Sequence, residues 1–160
     1  MKKSFSLIET IVAISILTIG ILGISFLISS QIASVLFSEN KLIAAYLAQE
    51  GIEIVRNIRD ESWLNGKDWD SNINLDGATT TKLDYKSSEI PDTSLSSCAP
   101  LKFDGNDLYN CSSGNDTPFT RKIFVSKSGD RMKIRVTVFW QERGKVHQYS
   151  VTGELYNWRK

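Results

Sequence analysis

Between Lys3 and Glu39 the only ionisable side chain is Glu9. It stands at the mouth of an apolar run, Ile11 to Ile28 and beyond, where an ionised carboxylate costs on the order of a few kcal/mol to hold in hydrocarbon. A carboxylate in such a place needs a cation to meet it, because pairing offsets much of the penalty an isolated charge carries. Before it come Met1-Lys2-Lys3-Ser4-Phe5-Ser6-Leu7-Ile8: a basic head, a small residue, an aromatic, then the start of the apolar run.

Other groups with chemistry are sparse. Cys98 and Cys111 are the two cysteines. An oxidising compartment would favour a disulfide between them. Two free buried thiols are the alternative, and two thiols with the distant His147 do not make a zinc spacing. Asp68, Asp70, Asn72, Asn74 and Asp76 alternate before Gly77, a run of hard oxygen donors that makes Asp70, Asn72, Asn74 and Asp76 weak calcium candidates. An EF-hand counted from Asn72 would need Glu at its twelfth place and finds Leu83, so solvated turn residues are the plainer reading and no metal is expected. His147, the sole histidine, falls on a strand beside a turn, where an exposed position is expected. One such histidine gives no nucleophile, base and orienter, and no phosphate loop appears. The chain does not read as an enzyme, and no cofactor is expected.

These residues are positioned by two kinds of element. Phe5 to about Asp60 reads as one helix. Its first half is apolar on every face and exceeds the ~20 residues that span a bilayer. In the second half Ile43, Leu47, Ile54 and Ile58 share a side, with Glu50, Glu53, Arg56 and Arg59 interleaved, the pattern of a helix packing one face on a partner. Glu53 can pair with Arg56, its helix-surface neighbour. Gly20 and Gly23 weaken the helix locally, either for close packing between membrane helices or for stretching in an assembly. The C-terminal stretch is sheet: Ile123–Val125, then Met132 to Trp140, then Val146 to Tyr156. Met132, Ile134, Val136, Val138 and Trp140 share one face, with Tyr149, Val151 and Leu155 as the facing set. Ser128-Gly129-Asp130 and Gln141 to Lys145 turn the chain between strands. From Ser62 to about Pro118 the composition is turn-rich, with one short strand expected over Thr81 to Tyr85. The fold class is therefore α+β, a long helix packed on a small antiparallel sheet.

The chain of 160 residues has a net charge of +1, which gives no basic field for nucleic acid. Lys2 and Lys3 ahead of the apolar run predict a cytoplasmic N-terminus, with all that follows the helix exported. A cleaved secretory signal is the competing reading. Its apolar core should span only ~7–15 residues and end at an Ala-x-Ala-like site, whereas Ala33 and Ser34 have bulky Gln31 and Ile32 two residues upstream.

The N-terminal residues resemble a prepilin of the type IV pilin and type II secretion pseudopilin superfamily. The match is Ser4 followed by Phe5-Ser6-Leu7-Ile8-Glu9, after a two-lysine leader and before a membrane-length helix. The family usually has Gly before the cut, where this chain has Ser4. A second stretch, Ala48-Gln49-Glu50-Gly51-Ile52-Glu53-Ile54-Val55-Arg56, is similar to a segment of minor pilins and pseudopilins near a filament tip.

The resemblance implies cutting after Ser4 by a prepilin peptidase, recognition through Lys2, Lys3, Ser4 and Phe5, and N-methylation of Phe5. It implies packing of many such helices into a filament, with Glu9 meeting the Phe5 amine of a neighbour. The expected partners are other pilin subunits, the peptidase, an inner-membrane assembly platform and membrane lipid. The expected location is the cytoplasmic membrane and then a surface or periplasmic filament. On this reading residues 1–4 are a leader, 5–33 the membrane and filament-core half of the helix, and 34–61 its amphipathic half. Residues 62–119 are then a loop-rich αβ region with the cysteine pair, and 120–160 the antiparallel sheet. A signal-anchored exported binding domain that never polymerises, or a pseudopilin of a secretion or DNA-uptake machine, are the alternatives.

Overall fold

The structure is a computed structural model that describes residues 6–74, 76–80, 83–90, 98–105 and 108–159. Its first element is helix α1 (Leu7–Leu64), followed by strands β1 (Ala78–Thr80), β2 (Lys102–Phe103), β3 (Tyr109–Asn110) and β4 (Asn115–Asp116). Three long strands close the chain: β5 (Phe119–Ser128), β6 (Arg131–Glu142) and β7 (Lys145–Tyr156). By contacts the chain forms two units, Met1–Glu39 and Asn40–Lys160.

In the first unit the described residues are helical from Leu7 on, and its large apolar side chains are exposed. At about 1.5 Å per residue, the helical residues up to Glu39 extend ~50 Å, enough to cross a hydrocarbon core. The stretch carries hydroxyls as well, and each of Thr10, Ser15, Thr18, Ser25, Ser29, Ser34 and Ser38 donates to the carbonyl four residues earlier. A hydroxyl satisfied by its own helix presents no unpaired donor to an apolar surrounding, so these residues do not disqualify the segment from hydrocarbon.

The second unit is a helix-on-sheet layer. A four-stranded antiparallel sheet has the order β1-β5-β6-β7, with β5, β6 and β7 a continuous meander. Ala44, Leu47, Ala48, Gly51, Ile54, Val55 and Ile58 of α1 are buried, at the 3.6-residue spacing. They share one core with Ile123 and Val125 of β5, with Met132, Ile134, Val136, Val138 and Trp140 of β6, and with Leu155 of β7. Strict alternation along β6 is what delivers five core residues from one strand. Each large aliphatic side chain so buried contributes ~1.5–3 kcal/mol, which makes this layer the main source of stability.

Turn chemistry fixes the register. Arg143 and Gly144 join β6 to β7 and both have positive φ, 50° and 75°, as a two-residue type I′ loop requires. The β5–β6 connection puts Gly129 first, at φ 58°.

Three expectations need correction. The helix runs to Leu64 rather than to about Asp60. It stops at Asn65-Gly66, where Gly66 takes φ 68°, Lys67 N–H reaches the Ser62 carbonyl and Gly66 N–H reaches that of Trp63, the two bonds of a Schellman cap. A short strand lies at Ala78–Thr80, against β5, where the sequence placed one over Thr81 to Tyr85. Of that expected span, Thr81 and Lys82 fall outside the described residues, while Leu83 and Asp84 are buried without strand pairing. The turn-rich segment also holds a second, three-stranded sheet of order β3-β2-β4. Two-residue strands leave no period to read.

Candidate functional site

Glu9 sits in the first turn of α1, opened by the Ser6 carbonyl, which accepts from Glu9 N at 3.1 Å and from Thr10 N at 3.2 Å. A carboxylate is favoured there by the helix dipole. Glu9 is exposed, on a helix whose surrounding apolar residues, Leu7, Ile8, Ile11 and Val12, are exposed too. Among the described residues no cation is paired with it. Lys2, Lys3, Ser4 and Phe5 lie outside the described residues.

The Glu50-Gly51 segment has a concrete structural role. Arg121 of β5 is 1 % exposed. Its guanidinium lies 3.0 Å from the Glu50 carboxylate. It donates to the Leu83 carbonyl at 2.6 Å and to the Leu47 carbonyl at 3.2 Å. Burial pushes Arg121 below its ordinary value, opposed by Glu50 and Asp84, and the paired carboxylate keeps the guanidinium charged. Gly51 is what lets α1 come this close: a Cβ there would stand 2.8 Å from Val136 Cγ1 and 3.2 Å from Arg121 Cδ. Helix, loop and sheet are thus tied at one point. Glu53 pairs with Arg56 at 2.6 Å on the exposed side, as the spacing predicts. Arg59, interleaved with the other charges of the helix, is buried, pairs with Asp60 and lies 4.7 Å over the Trp63 ring.

Cys98 and Cys111 are joined by a disulfide. Asp84 connects that loop to its neighbours, its Oδ2 accepting from Cys111 N at 3.2 Å and its Oδ1 from Lys86 N at 3.0 Å. Buried Asn110 accepts from the backbone of Ser112 and Ser113 with the same side-chain oxygen, capping the turn after the disulfide.

The oxygen-rich segment is held from β5. Lys127 Nζ lies 3.2 Å from Asp70 Oδ2 and also donates to the Ile73 carbonyl, while Lys127 N donates to Asp76 Oδ1 at 2.9 Å. An ammonium therefore already sits beside Asp70. Asn74 N bonds the Ile90 carbonyl, and Asn72 is half-buried and accepts from Ile90 N at 2.8 Å through its carbonyl. His147, expected to be exposed, is half-buried and stacked on Trp140 at 5.4 Å, its register partner on β6.

Arg121 was the residue hardest to see in the sequence, yet it left a trace. In Phe119-x-Arg121-x-Ile123-x-Val125 it occupies an inward place of an alternating strand, so a charge on the core face announced a buried partner.

No curated protein and no solved structure matches the chain. Residues 1–25 match the family model described as the prokaryotic N-terminal methylation motif. Over those residues the chain is type IV prepilin-like, and its described residues form a long N-terminal helix and antiparallel sheets in an α+β arrangement.

Proposed function

We propose that the chain is a structural subunit, a minor pilin or pseudopilin, of a type IV pilus-like filament. The observation that carries this reading is an exposed apolar helix of membrane length with one carboxylate, Glu9, in its first turn, beginning within the residues that match the N-terminal methylation motif. The Lys2-Lys3 leader holds the precursor with its N-terminus cytoplasmic. A prepilin peptidase hydrolyses the Ser4–Phe5 bond, which frees the Phe5 amine, and that amine is then methylated and stays cationic. The helix leaves lipid for a bundle of like helices from other pilin subunits, guided by an inner-membrane assembly platform. Glu9 pairs there with a neighbour's amine, and the difference between a lone carboxylate in lipid and a paired one favours assembly and sets axial register. The second unit, with its disulfide, stands outside the membrane. The role is structural rather than enzymatic.

Intact mass of the protein purified from native membranes tests the processing step. The expected mass begins at Phe5 and includes one methyl group. A mature N-terminus at Met1, or beyond Ile32, overturns the reading.

A further inference from the structure

Within the second unit β6 runs back along α1. Its Val136 lies beside Gly51, and its last residue, Glu142, accepts from Asn40 Nδ2 at 3.3 Å. Asn40 is where the chain enters this unit. The Arg143-Gly144 turn that follows Glu142 therefore emerges at the entry end, while the Gly129-Asp130 turn lies at the opposite end of the strands.

The two turns differ in chemistry. At the far turn the left-handed position is held by a glycine, Gly129, with a carboxylate, Asp130, next to it. At the entry turn it is held by Arg143, at φ 50°, the one non-glycine residue at positive φ among the described residues. Asn, Asp and Gly are the usual occupants, because a longer side chain is disfavoured in that conformation. A cation kept there is an outlier that points to function. Lys145 and, one residue after Asn40, Lys41 are exposed at the same end, and Val146 adds an exposed apolar side chain. Among the described residues none of these three cations is ion-paired. Their neighbouring carboxylates in the chain are Glu39, which is exposed, and Glu142, which is half-buried and bonded to Asn40.

Chain length says what faces this end. As helix, the uncharged residues 10–38 extend ~44 Å, matching the ~40–45 Å of a bilayer with both headgroup layers. With Glu9 at one face of the membrane, Glu39 and Asn40 come out at the other. A turn held to Asn40 then stands at the level of the headgroups.

We infer that the β6–β7 turn docks on the outer surface of the membrane that α1 crosses, with Arg143, Lys145 and Lys41 at anionic phospholipid headgroups and Val146 in the interfacial layer. The inference rests on the reading of α1 as a membrane span. Cations beside an anionic surface are attracted to it, and long basic side chains reach phosphate while their stems stay on apolar ground.

The test uses the full-length chain, a single copy per nanodisc, in discs of mixed phosphatidylcholine and phosphatidylglycerol. A photoreactive benzoylphenylalanine replaces Val146, or Ser128 beside the far turn, or Leu22 in the apolar run, and intact mass reports lipid adducts. The expected result is adducts at positions 22 and 146 and none at 128. The adduct at 146 should fall about fivefold or more in discs of phosphatidylcholine alone, and likewise in the double variant Arg143→Asn, Lys145→Gln, while that at 22 stays constant. Arg143→Asn creates Asn-Gly, the favoured pair for this turn, so the hairpin is kept, and retention of the Cys98–Cys111 bond reports folding. An adduct at 22 with none at 146 overturns the docking and leaves the membrane reading intact. No adduct at 22 overturns the membrane reading and the docking with it. An adduct at 146 that is matched at 128, or that is undiminished in either the neutral discs or the double variant, overturns headgroup recognition.

Discussion

The Arg121 guanidinium lies 3.0 Å from the Glu50 carboxylate, joining β5, an inner strand of the four-stranded sheet, to the helix. Glu50 is 33 % exposed while Arg121 is almost fully enclosed, so the pair reaches solvent on one side only. Arg121→Ala would leave the Leu83 carbonyl and the carboxylate without their donor. A loss of ~3 kcal/mol is expected, the lower end for a broken buried pair because water reaches Glu50. Arg121→Met keeps much of the volume and should lose less. Urea unfolding of the disulfide-intact protein in detergent, followed by tryptophan fluorescence, measures both. An Arg121→Ala loss within ~0.5 kcal/mol of zero would mean the clamp is ornamental.

The Cys98–Cys111 bond closes a short loop on a segment with little core of its own. Replacing both cysteines by alanine should reduce stability by ~2–4 kcal/mol in the chain-entropy account. The effect should be largest on the segment that Asp84 and Asn110 hold, where both side chains bond the backbone beside the disulfide. Peptide-level hydrogen exchange would show faster exchange around Tyr109 to Ser113 with β6 unchanged. Equal acceleration in β6 would contradict this.

Burial, with Glu50 as the lesser cause, raises Tyr109 above the ordinary phenol value of 10.0. The folded-state value then exceeds the unfolded one, so the unfolded chain releases this proton first as pH rises. Tyr109's contribution is complete below pH 10 and is lost as pH rises through the folded value. Tyr109→Phe should flatten that alkaline fall. The difference in midpoint between wild type and variant should be constant below about pH 9 and change only above it. A difference that varies across neutral pH would assign the dependence elsewhere.

Much of this molecule was legible before its structure. The alternation of Met132 to Trp140, the turn at Gly144 and the Leu47, Ile54, Ile58 stripe each carry a period that survives folding, because each element buries one face. Phe5 to Glu9 was legible for a different reason: a charge beside a membrane-length apolar run has few uses. What stayed hidden depends on distant chain. Lys127 reaching Asp70, Asp84 reaching Cys111 and His147 stacking on Trp140 all require tertiary placement, and β2 to β4 are too short to show a period. Arg59 read as one more charge interleaved with the apolar stripe. Only Trp63, one turn on, explains why it is covered.

Glu9 offers the sharpest test of assembly. Glu9→Gln or Glu9→Val should leave membrane insertion intact or ease it, since a charge leaves the apolar run. The same change removes the proposed partner for a neighbour's N-terminal amine, so incorporation into filaments should fall sharply. Glu39→Gln is the control: equal chemistry on the same helix, at the far end of the uncharged stretch, where the proposed amine cannot reach. It should assemble nearly normally. The quantity to compare is its amount in sheared filaments relative to its amount in membranes, which holds whatever the abundance of the subunit. If Glu9→Gln protein enters filaments as well as wild type, the carboxylate is not an assembly determinant, and the same helix would serve as a plain anchor for an exported domain.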